Sequence, residues 1–200
     1  MVFILPGWPK NQMMPEVRKY NSISLLIFCC VFSAPLPAKG ISIDWVNNEK
    51  INDKYMLNAK VSYSFSEEVL DALEHGVALY FNVEVKTSIK RQLLWDKTIS
   101  MDILNYRLEY HPLSQRYLLT DYKHFKRHDF RTLDAALENM GNITDYPIAN
   151  VSLLTSGNQY VASIRVLLDN KSLPAPLRPL SFISSDWQLS SPWTSMDIQP

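Results

Sequence analysis

The sequence predicts a mainly β fold: an antiparallel β-sandwich or partly closed barrel of about eight strands, with two short helices. Three observations predict it. Apolar and polar residues alternate in several stretches, which marks strands with one buried face. Two other segments carry capped, one-sided helical patterns. No βαβ unit repeats, so nothing calls for a parallel sheet.

Ile41 to Val46 opens the domain as a weakly alternating strand. In "KYMLNAKVSYSF", residues 54–65, Tyr55, Leu57, Ala59, Val61, Tyr63 and Phe65 share one parity, against Asn58, Lys60, Ser62 and Ser64 on the other. Ser66 is placed to cap the helix "EEVLDALEH", with Glu67 and Glu68 at its positive end. Gly76 ends that helix, because glycine tolerates the left-handed conformation that closes a C-terminus. "VALYFNVEV" returns to period two: Val77, Leu79, Phe81, Val83 and Val85 face one way, Asn82 and Glu84 the other. Leu93 to Ile103 is a weaker strand. "YRLEYHPLSQRYLLTDY" reads as a hairpin with Pro112 and Ser114 in the connection. Thr132 caps a second helix, "LDAALENM", with Leu133, Ala136, Leu137 and Met140 on one face and Gly141 at its end. Tyr160 to Leu168 is the last alternating run.

Residues 1–38 have a different character. The run Ser22 to Ala34 holds no charge, follows Arg18 and Lys19, and ends in Pro35 and Pro37. A basic start, a short apolar run and then small residues describe a secretory signal. A spanning helix needs about 20 apolar residues, more than this run supplies. Cleavage after Ala38 leaves a mature chain beginning at Lys39, and Met14 is a second start that gives a signal of ordinary length. The expectation is a periplasmic protein; the alternative is an uncleaved anchor that holds the domain on the inner membrane, facing the periplasm. Cys29 and Cys30, the two cysteines of the chain, both lie in the apolar run. A cleaved chain has no cysteine, which excludes thiol nucleophiles, iron–sulfur clusters and cysteine zinc sites from it.

Residues 39–200 form one domain long enough to bury a real core. Removing Lys10, Arg18 and Lys19 from the 20 bases leaves 17, and removing Glu16 from the 20 acids leaves 19, a net charge of −2. That balance gives no overall pull towards nucleic acid. A basic cluster stands at "YKHFKRHDFR", residues 122–131. His124 and His128 are four apart there, with Asp129 next and His111 upstream, but no helix is expected to bring them onto one face for zinc. A solvated loop is the expectation, with contact to anionic headgroups as the functional reading. There is no GxSxG, SxxK or glycine-rich phosphate loop, and the whole chain has five glycines. The expected protein is therefore non-enzymatic, with no metal and no cofactor; an enzyme with an unrecognised site is the last alternative.

The C-terminal third holds "LDNKSLPAPLRPL" followed by "SSDWQLSSPW". Pro174 and Pro176 favour an extended backbone, and Trp187 and Trp193 offer large apolar rings. Such a segment straps across the sandwich and buries both rings, or it lines a partner groove with Trp187, Trp193, Pro174 and Pro176. Burial is expected for Trp187, whereas Trp193 stands closer to the chain end.

Together with "ALEHGVALYFNVEV", "LEYHPLSQRYLL" and "TLDAALENM", this text resembles a family of exported proteobacterial proteins, domain of unknown function 4390. The resemblance runs from about Ile41 to Trp193, through Gly76, Tyr110, Leu113, Tyr117, Leu173, Pro174, Pro176, Leu177, Asp186, Trp187, Ser190 and Trp193. It implies no activity. It implies a bacterial source, which makes the sequons at Asn142, Asn150 and Asn170 incidental. It also implies a genetic neighbourhood with a membrane sensor kinase of a two-component system. The functional expectation is an exported accessory domain that binds a protein or an envelope component, or alternatively modulates such a kinase.

Overall fold

The computed structural model describes residues 40–198, with 92 and 156 excepted. The signal segment expected over residues 1–38 lies outside the described residues. Nine strands and three helices are described: β1 (Gly40–Ile51), β2 (Lys54–Ser64), α1 (Glu67–Glu74), β3 (Leu79–Ile89), β4 (Lys97–His111), β5 (Arg116–Asp121), β6 (Lys126–Phe130), α2 (Leu133–Gly141), β7 (Asn142–Asn150), β8 (Tyr160–Leu168), α3 (Arg178–Ile183) and β9 (Thr194–Ile198). They build a three-stranded sheet, β1-β2-β7, and a six-stranded sheet, β6-β5-β4-β3-β8-β9. Every pair is antiparallel.

The period-2 sets are the core. Tyr55, Leu57, Ala59 and Val61 of β2 share one cluster with Leu79, Phe81, Val83 and Val85 of β3 and with Ile164 and Val166 of β8. Edge-to-face packing of Tyr63 on Phe81, centroids 5.5 Å apart, joins the sheets at one end. The cluster runs from Ile41 to Ile198 and lies wholly within one compact unit, Pro37–Pro200. That unit therefore carries its own core.

Both expected caps form. Ser66 Oγ accepts from Val69 N at 3.3 Å and Thr132 Oγ1 from Ala135 N at 3.3 Å. Gly76 takes φ +85° after α1. Gly141 serves a different purpose: a Cβ there would lie 2.1 Å from Val61 O, so only glycine lets the end of α2 reach β2.

The two sheets do not close into a barrel. On one side β1 meets β9, where Asn48 Nδ2 donates to Asp197 O at 3.0 Å. On the other side β6 and β7 are not paired, and α2, which connects them in sequence, packs across β2, β5 and β6. This leaves an open seam between the sheets.

The mainly β, antiparallel two-sheet fold is as expected, with nine strands for about eight and a third short helix, α3, beside the two expected. β7 is broken by register shifts and contains Pro147. Two expectations need correction. The strand expected over Leu93 to Ile103 starts only at Lys97 and continues through Tyr110 as the long β4, and residues 93–95 are loop. The extended strap is instead compact. Leu177 N donates to Pro174 O at 2.9 Å, closing a turn, and α3 begins at Arg178 with Pro179 in its first turn. Proline suits that turn because its missing N–H would have no helical partner there.

Candidate functional site

The open seam forms a cleft of about 330 Å³. Its floor is apolar: Leu104, Tyr106, Leu119 and Ile143, all buried. Its rim is polar and comes from four elements: Asp121, Lys126 and His128 from the β5–β6 hairpin, His124 from its turn, Asn139 from α2, and Asn142 and Asp145 from β7. A second hollow of about 380 Å³, between Lys54, Thr87, Ile99 and Asn150, shares Pro147 with it. An apolar floor with converging polar groups is the usual character of a small-ligand site, and 330 Å³ is at the small end of such sites.

The β5–β6 turn is organised by one carboxylate. Asp121 Oδ1 accepts from the backbone N–H of Lys123 at 2.9 Å and of His124 at 3.1 Å, while Oδ2 meets His124 Nδ1 at 2.6 Å. That bond fixes the imidazole and leaves Nε2 without a partner among the described residues. An Asp–His pair of this kind orients a histidine to give or accept a hydrogen bond.

Across the seam, Lys123 Nζ donates to Tyr146 OH at 2.8 Å and to the Asp102 carboxylate, which also accepts from Tyr146 OH. This latch ties the turn to β4 and β7. Lys123 first, and Tyr146 second, hold the Asp102 carboxyl below the ordinary aspartate range. Asp102 in turn raises Lys123. Burial is the main cause that raises the Tyr146 phenol. Burial, reinforced by Asp121, also raises Tyr106 at the cleft floor, so both phenols remain protonated donors near neutral pH.

Two backbone positions beside the cleft take the left-handed conformation, as Asn52 and Gln115 do in the β1–β2 and β4–β5 turns. Asp145 has φ +52°, held by its N–H on Asn58 Oδ1 at 2.8 Å. Phe125, at the tip of the β5–β6 turn, has φ +53° with its ring in solvent. Aspartate tolerates that conformation, whereas it is uncommon at a residue as bulky as phenylalanine.

The sequence signal for this site was partial. His124 and His128 do converge on the cleft, through a hairpin and not a helix. Asp129 does not: successive strand residues face opposite ways, and it pairs with Arg116 at 3.3 Å. His111 sits at the far end of β4. Asp121, Asp145 and Tyr146 carried no signal, because only the packing of the two sheets across the seam brings them together. No group of three or more His, Cys, Asp or Glu among the described residues is arranged to hold a metal.

The four strap residues do not line one groove. Trp187 is 1 % exposed and packed in the core, its Nε1 without a partner. Trp193 is 37 % exposed and contacts the outer face of the six-stranded sheet, with Lys86 Nζ and the Arg165 guanidinium each 4.7 Å from its ring. Arg165 also forks onto Glu84 of the neighbouring strand. Pro174 and Pro176 are exposed on the turn before α3.

Among the described residues no helix is long and apolar enough to cross a membrane. No curated protein and no solved structure matches the chain. Residues 38–197 match the family model described as Domain of unknown function (DUF4390). With four-fifths of its length under that match, the chain belongs to the DUF4390 family.

Proposed function

We propose that this chain is an exported, non-enzymatic periplasmic domain that binds a protein or envelope component through the seam cleft. One observation carries the reading. Four separate elements converge on a single cleft with an apolar floor and a polar rim. The Asp121–His124 pair offers one oriented imidazole, and His124 forms no hydrogen bond to a hydroxyl or thiol among the described residues. Binding chemistry suits that arrangement better than nucleophilic catalysis, which needs base and nucleophile within hydrogen-bond reach. Export rests on the apolar run 22–34 behind Arg18 and Lys19.

Crosslinking in intact cells tests the reading. A photoreactive residue replacing Asn139, on the cleft rim, should capture a periplasmic or membrane component, and His124→Ala should abolish that capture while leaving the melting temperature unchanged. The same probe at Glu109, on the outer sheet face, should capture nothing comparable. Equal capture from Glu109 would move the binding surface away from the seam. Identification of a sensor kinase as the captured species would select that partner.

A further inference from the structure

The loop between β3 and β4 carries three consecutive large apolar side chains in solvent. Leu93 is 95 % exposed, Leu94 62 % and Trp95 90 %. Scattered exposed leucines are ordinary, but three adjacent large apolar residues on one loop are not. The loop is held away from the body by its base. Ile89 pairs with Lys97 as the last rung of the hairpin, and Lys90 N donates to Gln159 O at 2.8 Å. Residues 97–100 of β4 are exposed on both faces, and Ile99 and Met101 extend the apolar surface along that strand.

Bases outnumber acids beside this tip, three to two, with Asp197 of β9 lining the same hollow as Lys90 and Asp96. Lys90, Arg91 and Lys97 flank it and are all exposed. Asp96 is the one acid in the same stretch, and its Oδ1 accepts from the Arg91 backbone N–H at 3.3 Å. A tryptophan among leucines, ringed by bases, matches a bilayer interface: the indole settles at the headgroups, the leucines enter the acyl boundary and the bases meet anionic lipid.

We propose that Leu93, Leu94 and Trp95, with Lys90, Arg91 and Lys97 beside them, form a finger that docks the domain on an anionic phospholipid surface. Charge complementarity argues for lipid as the occupant, since a purely apolar partner surface would leave three bases unused. The finger stands at the end of the sandwich away from Gly40. Gly40 pairs with Ser64 at one end of the sandwich, whereas Ile89 pairs with Tyr160 at the other, where Asn48 and Asp197 meet. The eight steps along β1 from Gly40 to Asn48 span about 27 Å between those ends. The proposal stands apart from the cleft reading.

Vesicle flotation of the Pro37–Pro200 unit tests it. Wild type should float with vesicles of phosphatidylglycerol and phosphatidylcholine, with a blue shift in tryptophan emission. The triple variant Leu93→Ser, Leu94→Ser, Trp95→Ser should lose at least about tenfold in partitioning. Lys90→Gln, Arg91→Gln and Lys97→Gln should each cost about fivefold on anionic vesicles, and leave weak binding to phosphatidylcholine alone unchanged. Trp95→Phe should keep flotation but remove the blue shift. All these side chains are in solvent, so melting temperatures should match wild type. Wild type that ignores vesicles, as a protein-docking finger would, overturns the proposal. So does a triple variant that floats as well as wild type.

Discussion

Trp187 and Trp193 are six positions apart and have opposite fates. Trp187 is buried in the core, at 1 % exposure, while Trp193 rests on an outer sheet face between two cations. Trp187→Ala should therefore cost about 3–5 kcal/mol, the penalty for removing a buried large ring. Trp193→Ala should cost only about 0.5–1 kcal/mol, the value of an exposed cation–π contact. Thermal melts of the two variants side by side check the difference. Asp102 gives a pH-dependent test. Its carboxyl is depressed by Lys123 and Tyr146, so its contribution is complete above the unfolded value of about 3.9 and is lost as pH falls through the depressed folded value. The side chain is half-exposed, which limits the contribution to under about 1 kcal/mol. Denaturant midpoints of wild type and Asp102→Asn should differ near neutral pH and converge in acid.

At the scale of elements, α2 decides the shape of the seam. It is the connection between the two unpaired strands β6 and β7, and it lies across the gap instead of letting them zip together. Thr132 caps its first turn and Gly141 lets its last turn touch Val61. Thr132→Ala should cost about 1 kcal/mol. Because the cap holds the helix that carries Asn139, hydrogen exchange should rise first in α2 and the adjoining β6, ahead of β3 and β8. Uniform exchange across all elements would show that α2 unfolds only with the whole domain. The β7 edge is blunted by two register shifts, by Pro147 and by the φ +52° of Asp145, devices that keep an open edge from pairing with another chain.

For the whole molecule, the pairing order sets the folding problem. β3 pairs with β8 from Phe81↔Leu168 onwards, and β2 pairs with β7 from Lys54↔Asn150. These contacts close loops of many tens of residues before any non-local pairing is gained, so the Pro37–Pro200 unit should refold in roughly milliseconds to seconds. Stopped-flow tryptophan fluorescence measures this, with the burial of Trp187 as the reporter. Microsecond refolding would mean that local structure dominates the transition state.

Local pattern was enough for much of this architecture. Alternation in residues 54–65 and 77–85 placed two core strands and named their buried faces, because a strand's side-chain period is a property of its own backbone. The weaker run 160–168 placed β8 without naming a face, since Tyr160 to Ile164 are all buried. Ser66, Gly76 and Thr132 marked helix ends for the same reason: a cap satisfies groups within one turn. What tertiary structure alone decided depends on residues distant in sequence. β7 is a strand because β2 pairs with it despite Pro147, and Asp102, Lys123 and Tyr146 meet only once β4, the β5–β6 turn and β7 are packed. His124 and His128 were visible as a spacing, but the side of the sheet they face, and Asp129 does not, followed from the register of β6 on β5. Periodicity tells which residues share a face; only the partner strand tells what that face meets.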